Sequence, residues 1–142
     1  MKEPVGLKRL NRKRPDDLTL IPWQGGRPLL WNVTVISTLA CSYDEASARA
    51  AGGAAEIAAS RKLVKYTKLS AAHIFQPTAV ETHGPLNASA VDFLVEVGRR
   101  LCCISGKERE TSFLFQRLSI LVQRSNAVLF HDCYACDDNM DL

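Results

Sequence analysis

Residues 14–36 alternate between apolar and polar positions, as two short strands joined by a tight turn do. Gly25-Gly26 supplies the turn, and the segment after it is rich in β-branched and aromatic side chains. The pattern therefore predicts a β-hairpin. With the strand period of two, one face of the second strand carries Trp31, Val33 and Val35, and the other carries Leu30, Asn32, Thr34 and Ile36.

An alanine-rich stretch follows the hairpin and ends near Leu69. Because Ser42–Glu45 matches a capping box, this stretch predicts one long helix, loosened at Gly52-Gly53, where each glycine costs about 1 kcal/mol relative to alanine. Residues 73–82 then have the composition of a short strand. Pro77 is best accommodated at the start of that strand or at a bulge, because proline cannot donate to a sheet ladder.

Two further helices complete the predicted order of elements. Asn87 or Ser89 caps the first, which ends at Ser105-Gly106, and Thr111 or Ser112 begins the second. The buried stripe of the second helix is predicted to consist of Leu114, Leu118, Leu121 and Val128. A hairpin, a crossover helix and a returning strand imply an α/β fold in which helices flank a small mixed sheet.

The length of 142 residues fits one domain, and 46% hydrophobic with 23% charged residues is the composition of a globular protein. We expect a basic arm at residues 1–13, a single domain at residues 14–131 and an acidic tail at residues 132–142. The chain has no apolar run of about 20 residues and no signal-peptide pattern, so we expect an intracellular protein without a membrane span. Its five cysteines are then expected to stay reduced.

The net charge of +3 is unevenly distributed, because residues 132–142 contain four aspartates and no Lys or Arg, which leaves +7 on the rest of the chain. A basic cluster near the start includes Arg12, Lys13 and Arg14. Such a cluster suits a polyanion such as nucleic acid, although a solvated basic tail has the same composition. Arg117 and Arg124 could likewise face phosphates, or belong to an ordinary polar helix face.

Two polar residues of the hairpin are candidate ligands of a divalent cation. Asp16 lies at the mouth of the first strand and Asn32 on the adjacent strand, where hard oxygen ligands can be held without ordering a loop. A simple turn at Gly25-Gly26 pairs Asn32 with about residue 19, which leaves Asp16 on the order of 10 Å away. Strand twist or a bulge at Pro22 would have to narrow that gap.

Five segments in order resemble the restriction-like endonuclease domain that follows the reverse transcriptase in some non-LTR retrotransposons. They are KRPDDLTLIPW, LLWNVTVISTLA, SRKLVKY, AVETHGPL and RETSFLFQRLSILVQRSNAV. The resemblance covers about residues 3–130. That domain is similar to the PD-(D/E)XK nuclease superfamily, whose core is a mixed sheet flanked by helices. The resemblance therefore implies a metal-dependent DNA endonuclease, with Mg²⁺ or Mn²⁺ as cofactor and DNA as partner.

The acidic positions of that family carry over only in part. Asp16, in the pair Pro15-Asp16, resembles the first metal-binding acid. Residues 31–35 resemble the segment usually written Trp-Asp-Val-Thr-Val, so Asn32 stands where the resemblance implies the second acid. An amide oxygen can bind a metal but is neutral, so the site loses one negative charge and much of its affinity for Mg²⁺. Catalysis is expected to fall steeply or vanish.

A cationic side chain is also required, to orient the attacking water or to stabilise developing charge. Lys62 and Lys65, at i and i+3, lie on one helix face that could look back on the hairpin, although such a face is solvated by default. Thr34 occupies the position where many superfamily members carry the motif lysine. The two lysines match the displaced arrangement of the transposon domains, and Glu81 corresponds to a possible auxiliary acid on the next strand.

The function expected from the resemblance is a retrotransposon-derived endonuclease-like domain with impaired activity. The alternative is a non-catalytic DNA-binding remnant of the same fold, and a protein-interaction module without affinity for nucleic acid is a third hypothesis. Since the sequence begins at Met1 with no reverse transcriptase before it, it is expected to be a detached piece of a mobile element. A functional domain would act in the nucleus; the oligomeric state is left open.

A zinc site is the competing metal hypothesis, and it concerns the segment at residues 131–136, which contains Cys133-Tyr134-Ala135-Cys136. A structural zinc site needs four ligands. The two histidines outside this segment, His73 and His83, lie about fifty residues upstream. The spacing therefore gives little support to zinc.

Overall fold

The computed structural model describes residues 16–67 and 72–137, with side chains up to residue 132. A small three-stranded mixed sheet is flanked by helices, which confirms the predicted α/β class. The elements in chain order are β1 (Asp17–Leu18), β2 (Leu29–Ile36), α1 (Asp44–Arg49), α2 (Gly53–Lys65), β3 (Ile74–Glu81), α3 (Ala88–Ser105) and α4 (Glu110–Asp137), with a 3₁₀ turn at Cys41–Tyr43 before α1.

The described chain forms two compact units. The first contains the sheet, α1, α2 and residues 85–91, and the second contains residues 82–84 and the chain from Asp92 onward. The predicted single domain at residues 14–131 spans both units. Within the described residues, no helix has the length and apolar character needed to cross a membrane.

The sheet has β2 at its centre, antiparallel to β1 and parallel to β3. The predicted faces of β2 are confirmed, because Leu30, Asn32 and Ile36 are buried whereas Val33 and Val35 are exposed. The crossover from β2 to β3 runs through α1 and α2, and α2 packs on both strands. Its inner face is made of small side chains, and the core consists of Ile36, Ala54, Ala55, Ala58, Ala59 and Ala79.

Pro77 lies in the middle of β3, not at the start or at a bulge as the sequence predicted. The neighbouring backbone explains why this is tolerated. The N–H and carbonyl of Ala79 and the carbonyl of Pro77 all bond to Asn87 on the outer edge of β3, facing away from β2. The N–H that proline lacks would therefore point to that outer edge, where no ladder bond to β2 is lost.

The predicted single long helix is two helices, α1 and α2, separated at residues 50–52. The predicted capping box is wrong, since Tyr43 is the N-cap of α1 and makes no side-chain cap bond. Gly52 has φ of 85°, which reverses the chain before α2, and a Cβ on Gly53 would lie 2.5 Å from the carbonyl oxygen of Ala46. The two glycines thus allow a close turn that a continuous helix would not contain.

The last two helices follow the sequence prediction at their boundaries but not in the buried face of α4. Gly106, with φ of 71°, ends α3 by donating to the carbonyl of Cys102, and α4 begins at Glu110. Leu121 and Val128 are exposed, so the predicted stripe is wrong beyond Leu118. The half-buried stripe instead continues through Val122 and Asn126, and Asn126 donates from its side chain to the carbonyl of Thr82.

Replacing Gly98 with alanine should destabilise the second unit. A Cβ on Gly98 would lie 2.8 Å from both Cα and Cβ of Thr111, so α3 and α4 would have to move apart. We expect a loss of about 1–3 kcal/mol in the free energy of unfolding, measured by urea denaturation. Replacing an exposed helical glycine with alanine has the opposite effect and raises the free energy of unfolding by roughly 0.5–1 kcal/mol. An increase in stability would therefore contradict this close approach.

Candidate functional site

Asp16 lies beside Asn32 at the edge of β2. The antiparallel register pairs Asp17 with Trp31 and Leu18 with Leu30, and Asp16 directly precedes these paired residues. The backbone N–H of Asp16 donates to Trp31 O at 3.0 Å. One carboxylate oxygen of Asp16, Oδ2, accepts the N–H of Val33 at 2.6 Å. The carboxylate thus continues the pairing of β2 beyond the two residues of β1.

The gap of about 10 Å that a simple hairpin predicts between Asp16 and Asn32 is absent. At the turn, Gln24 pairs with Arg27, and a regular hairpin continued from there would pair residue 19 with residue 32. The observed register is displaced by three residues on the first arm, where Leu20–Pro22 loops out and Leu20 is 88% exposed. Of the two devices that the sequence left open, strand twist or a bulge at Pro22, the extra residues at Leu20–Pro22 correspond to the second.

Asn32 is 5% exposed and belongs to the sheet face that α2 covers. Its Oδ1 lies 3.4 Å from Oγ1 of Thr34, which donates a long hydrogen bond to it. The amide oxygen of Asn32 therefore accepts a hydrogen bond from the next polar side chain on the same face of β2. Thr34 was missed as a supporting residue, although the period of two had already assigned it to the same face.

Lys62 lies at the same level of the sheet as Asn32. The first turn of α2 is fixed at Glu81, and Tyr66, just after the helix, stacks on Phe75 with ring centroids 4.7 Å apart. Helix and strand therefore run antiparallel. From Ala54 to Lys62, α2 rises about 12 Å over eight residues. The same length of β3, measured back from Glu81, corresponds to three to four strand residues. That level is Pro77, the register partner of Asn32.

The face of α2 on which Lys62 lies is the face that packs on the sheet. Lys62 follows Ala55, Ala58 and Ala59 at helical spacing, and these alanines are buried. Lys62 itself is half-buried, as is Lys65, whose Nζ lies 5.5 Å from the ring centroid of Tyr66. Lys62 thus belongs to the helix face that packs on the sheet, and its role in a site with Asp16 stays a prediction.

Glu81 does not join the other candidates. It pairs with Ile36, four residues along the parallel register from Asn32, a distance of about 13 Å at 3.3 Å per residue. Its side chain is 3% exposed, and Oε1 accepts the N–H groups of Ala54 and Ala55 at 3.1 and 3.2 Å. The carboxylate therefore caps the N-terminus of α2, where the helix dipole favours negative charge.

Asn87 is a structural residue whose role the sequence did not reveal. The sequence predicts it only as a helix cap, and it does directly precede α3. Its side chain is fully buried and bonds mainly to β3: Oδ1 accepts from Ala79 N at 2.8 Å, and Nδ2 donates to Pro77 O and Ser89 Oγ. The asparagine thus satisfies the outer edge of β3 behind the candidate site.

The remaining sequence candidates lie outside the described residues or in the second unit. The basic residues Arg12, Lys13 and Arg14 lie outside the described residues, as do the side chains of Cys133 and Cys136. Arg117 and Arg124 are exposed on α4, in the second unit. The described thiols, Cys41, Cys102 and Cys103, are free.

The described donors supply less negative charge than the Mg²⁺ site that the resemblance implies. The Asp16 and Asp17 carboxylates each accept a backbone N–H, Asn32 is neutral, and the Glu81 carboxylate is bound to α2. Throughout residues 16–67 and 72–132, no group of three or more His, Cys, Asp or Glu side chains could hold a metal ion. In proteins Mg²⁺ usually keeps several waters and is held octahedrally by one or two carboxylates together with substrate phosphates.

Comparisons with known proteins found no match for this chain among protein-family models, curated proteins or solved structures. The candidate site is therefore defined by its own geometry: a carboxylate and an amide on facing strands, with a lysine from α2 at the same level of the sheet.

Proposed function

We propose that this chain is a DNA-binding domain of restriction-endonuclease-like type, derived from a retrotransposon, in which the phosphodiester site persists without an effective metal. The observation that carries the proposal is the position of Asp16, whose backbone N–H and carboxylate bond to β2 on either side of Asn32. An acid, a second polar position and a cation are the groups that phosphodiester chemistry requires. Here Asp16 and Asn32 belong to the sheet, and Lys62 belongs to the helix that packs on it.

The amide at position 32 is the reason to propose binding in place of efficient cleavage. Two facing carboxylates would attract a divalent cation, whereas Asp16 and a neutral amide leave the site with one negative charge fewer. The half-buried Lys62 and the other basic side chains of α2 then favour an anion, and a DNA phosphate is the anion that the proposed ancestry supplies. On this proposal the domain acts in the nucleus, and the parent element provided a reverse transcriptase.

Nicking of supercoiled plasmid in Mg²⁺ or Mn²⁺ tests the catalytic part of the proposal. We expect the wild type to nick slowly or not at all and the Asn32→Asp variant to nick detectably. The double variant Asp16→Ala/Asn32→Asp should lose that activity, because one carboxylate is again missing. Wild-type nicking that Asp16→Ala abolishes would instead identify an active endonuclease and overturn the proposed loss of catalysis.

Retention of the wild type on a DNA column tests the binding part. A protein that binds DNA phosphates releases cations from the DNA into solution, so a higher salt concentration opposes binding. Elution at a defined salt concentration therefore supports the proposal. Flow-through at low salt would contradict it and would favour a protein-interaction module.

A further inference from the structure

The side of α2 that faces β1 carries an arginine whose position is fixed by an aromatic ring. The guanidinium carbon of Arg61 lies 5.4 Å from the ring centroid of Tyr43, and Nη1 of Arg61 donates to the Tyr43 hydroxyl at 3.3 Å. Tyr43 packs against the buried core of the first unit. The ring therefore holds the guanidinium in a defined place although Arg61 is exposed.

The position of Glu56 shows which flank of α2 carries Arg61. The Glu56 carboxylate accepts the N–H of Ala88, next to Asn87, which bonds to the outer edge of β3. Arg61 follows Glu56 by five helical positions, which places the two side chains about 140° apart around the axis. Because Glu56 faces the β3 edge, Arg61 lies on the other flank, towards β2 and β1.

The charge of Arg61 is not neutralised by an acid in the described residues, unlike that of several other arginines. Arg49 pairs with Glu45, and Arg99 and Arg100 both pair with Glu96, where their hydrogen bonds lower the pKa of the Glu96 carboxyl to about 2. The partner of Arg61 is an uncharged phenol. A guanidinium has five N–H donors in a planar fork, so stacking on Tyr43 leaves donors directed outward.

We infer that Arg61, positioned by Tyr43, is a second phosphate-binding residue of the candidate site and contacts the nucleic-acid backbone beside the phosphate that Lys62 faces. This inference rests on the proposed function. Lys65, one turn after Arg61, extends the same flank with positive charge. An arginine held on an aromatic face loses less side-chain entropy on binding than a freely rotating one, which suits it to a phosphate contact.

Fluorescence anisotropy with a labelled DNA duplex of mixed sequence, titrated between about 50 and 200 mM salt, tests the inference. Removing one phosphate contact lowers the slope of log K against log salt by about 0.9, which corresponds to roughly eightfold weaker binding at 0.1 M salt. We expect this result for Arg61→Gln. Arg49→Gln is the control, because it removes the same single positive charge at another exposed position, and this variant should bind as the wild type does.

Tyr43 is a positioning residue, and two substitutions separate its ring from its hydroxyl. Tyr43→Phe keeps the stacking surface and should retain most of the affinity. Tyr43→Leu removes the surface and should weaken binding towards the level of Arg61→Gln, with folding checked by thermal denaturation. A wild type that does not bind the duplex overturns both the proposed function and this inference. Salt-dependent wild-type binding that Arg61→Gln and Arg49→Gln change equally overturns the role of Arg61 alone.

Discussion

The Asn32→Asp variant should have a thermal stability that depends on Mg²⁺. Position 32 is 5% exposed and lies between the two β2 residues that bond to Asp16, so a carboxylate there is buried near a second acid. Without a cation, we expect a loss of about 3 kcal/mol in the free energy of unfolding, because a buried charge lacks adequate compensation. A cation held by both acids at one hundred times its Kd would restore about 2.7 kcal/mol.

Differential scanning calorimetry with and without Mg²⁺, at constant ionic strength, measures this effect. Asn87→Asp provides a matched control, since Asn87 is also a buried asparagine but bonds to the far edge of β3. It should be destabilised with no recovery in Mg²⁺. Asp16→Ala/Asn32→Asp should also lose the recovery. If Asn32→Asp melts at the same temperature with and without Mg²⁺, residues 16 and 32 do not form a joint cation site.

The Glu81→Ala variant should lose about 3 kcal/mol of stability, whether or not a metal is present. The buried carboxylate accepts two N–H groups at the N-terminus of α2, and hydrogen bonds to a charged group contribute about 1.5–3 kcal/mol. Removal leaves both donors buried without that acceptor. Glu81→Gln keeps a carbonyl oxygen for the same donors and loses only the interaction of charge with the helix dipole, so a smaller loss of about 1–2 kcal/mol is expected.

Urea denaturation gives the free energies of unfolding for this comparison. Glu45→Ala, an exposed acid in the first turn of α1, is the matched control and should change stability by no more than about 0.5 kcal/mol. Glu81→Ala within that range would show that the cap contributes little. If Mg²⁺ raises the free energy of unfolding of the wild type but not of Glu81→Ala, Glu81 has the auxiliary metal-binding role that the family resemblance implied.

The hairpin was predictable in its faces but not in its register. Alternation of Leu30, Asn32, Thr34 and Ile36 with Trp31, Val33 and Val35 follows from the strand period of two, which is a local property. The register depends on where Leu20–Pro22 leaves the ladder. That choice is made by packing and by the bonds of Asp16 and Thr19 to β2, for which the sequence pattern has no signature.

The role of Glu81 could not be read from its own segment. An acid at the end of a predicted strand is compatible with a metal ligand, a surface charge or a helix cap. The deciding partners, the N–H groups of Ala54 and Ala55, lie 27 and 26 residues earlier in the chain. Only the packing of α2 on β3 brings them together, and the same packing brings Lys62 to the level of Asn32.

The sequence by itself determined the α/β class, the two faces of β2 and the amide at position 32, because hydrophobic periodicity and residue chemistry are local. The tertiary structure alone decided that Asp16 bonds to β2 on either side of Asn32, that Glu81 caps α2, and that Arg61 stacks on Tyr43. Those contacts join segments that are distant in the chain. Their distances are set by strand register and helix packing, which no single segment encodes.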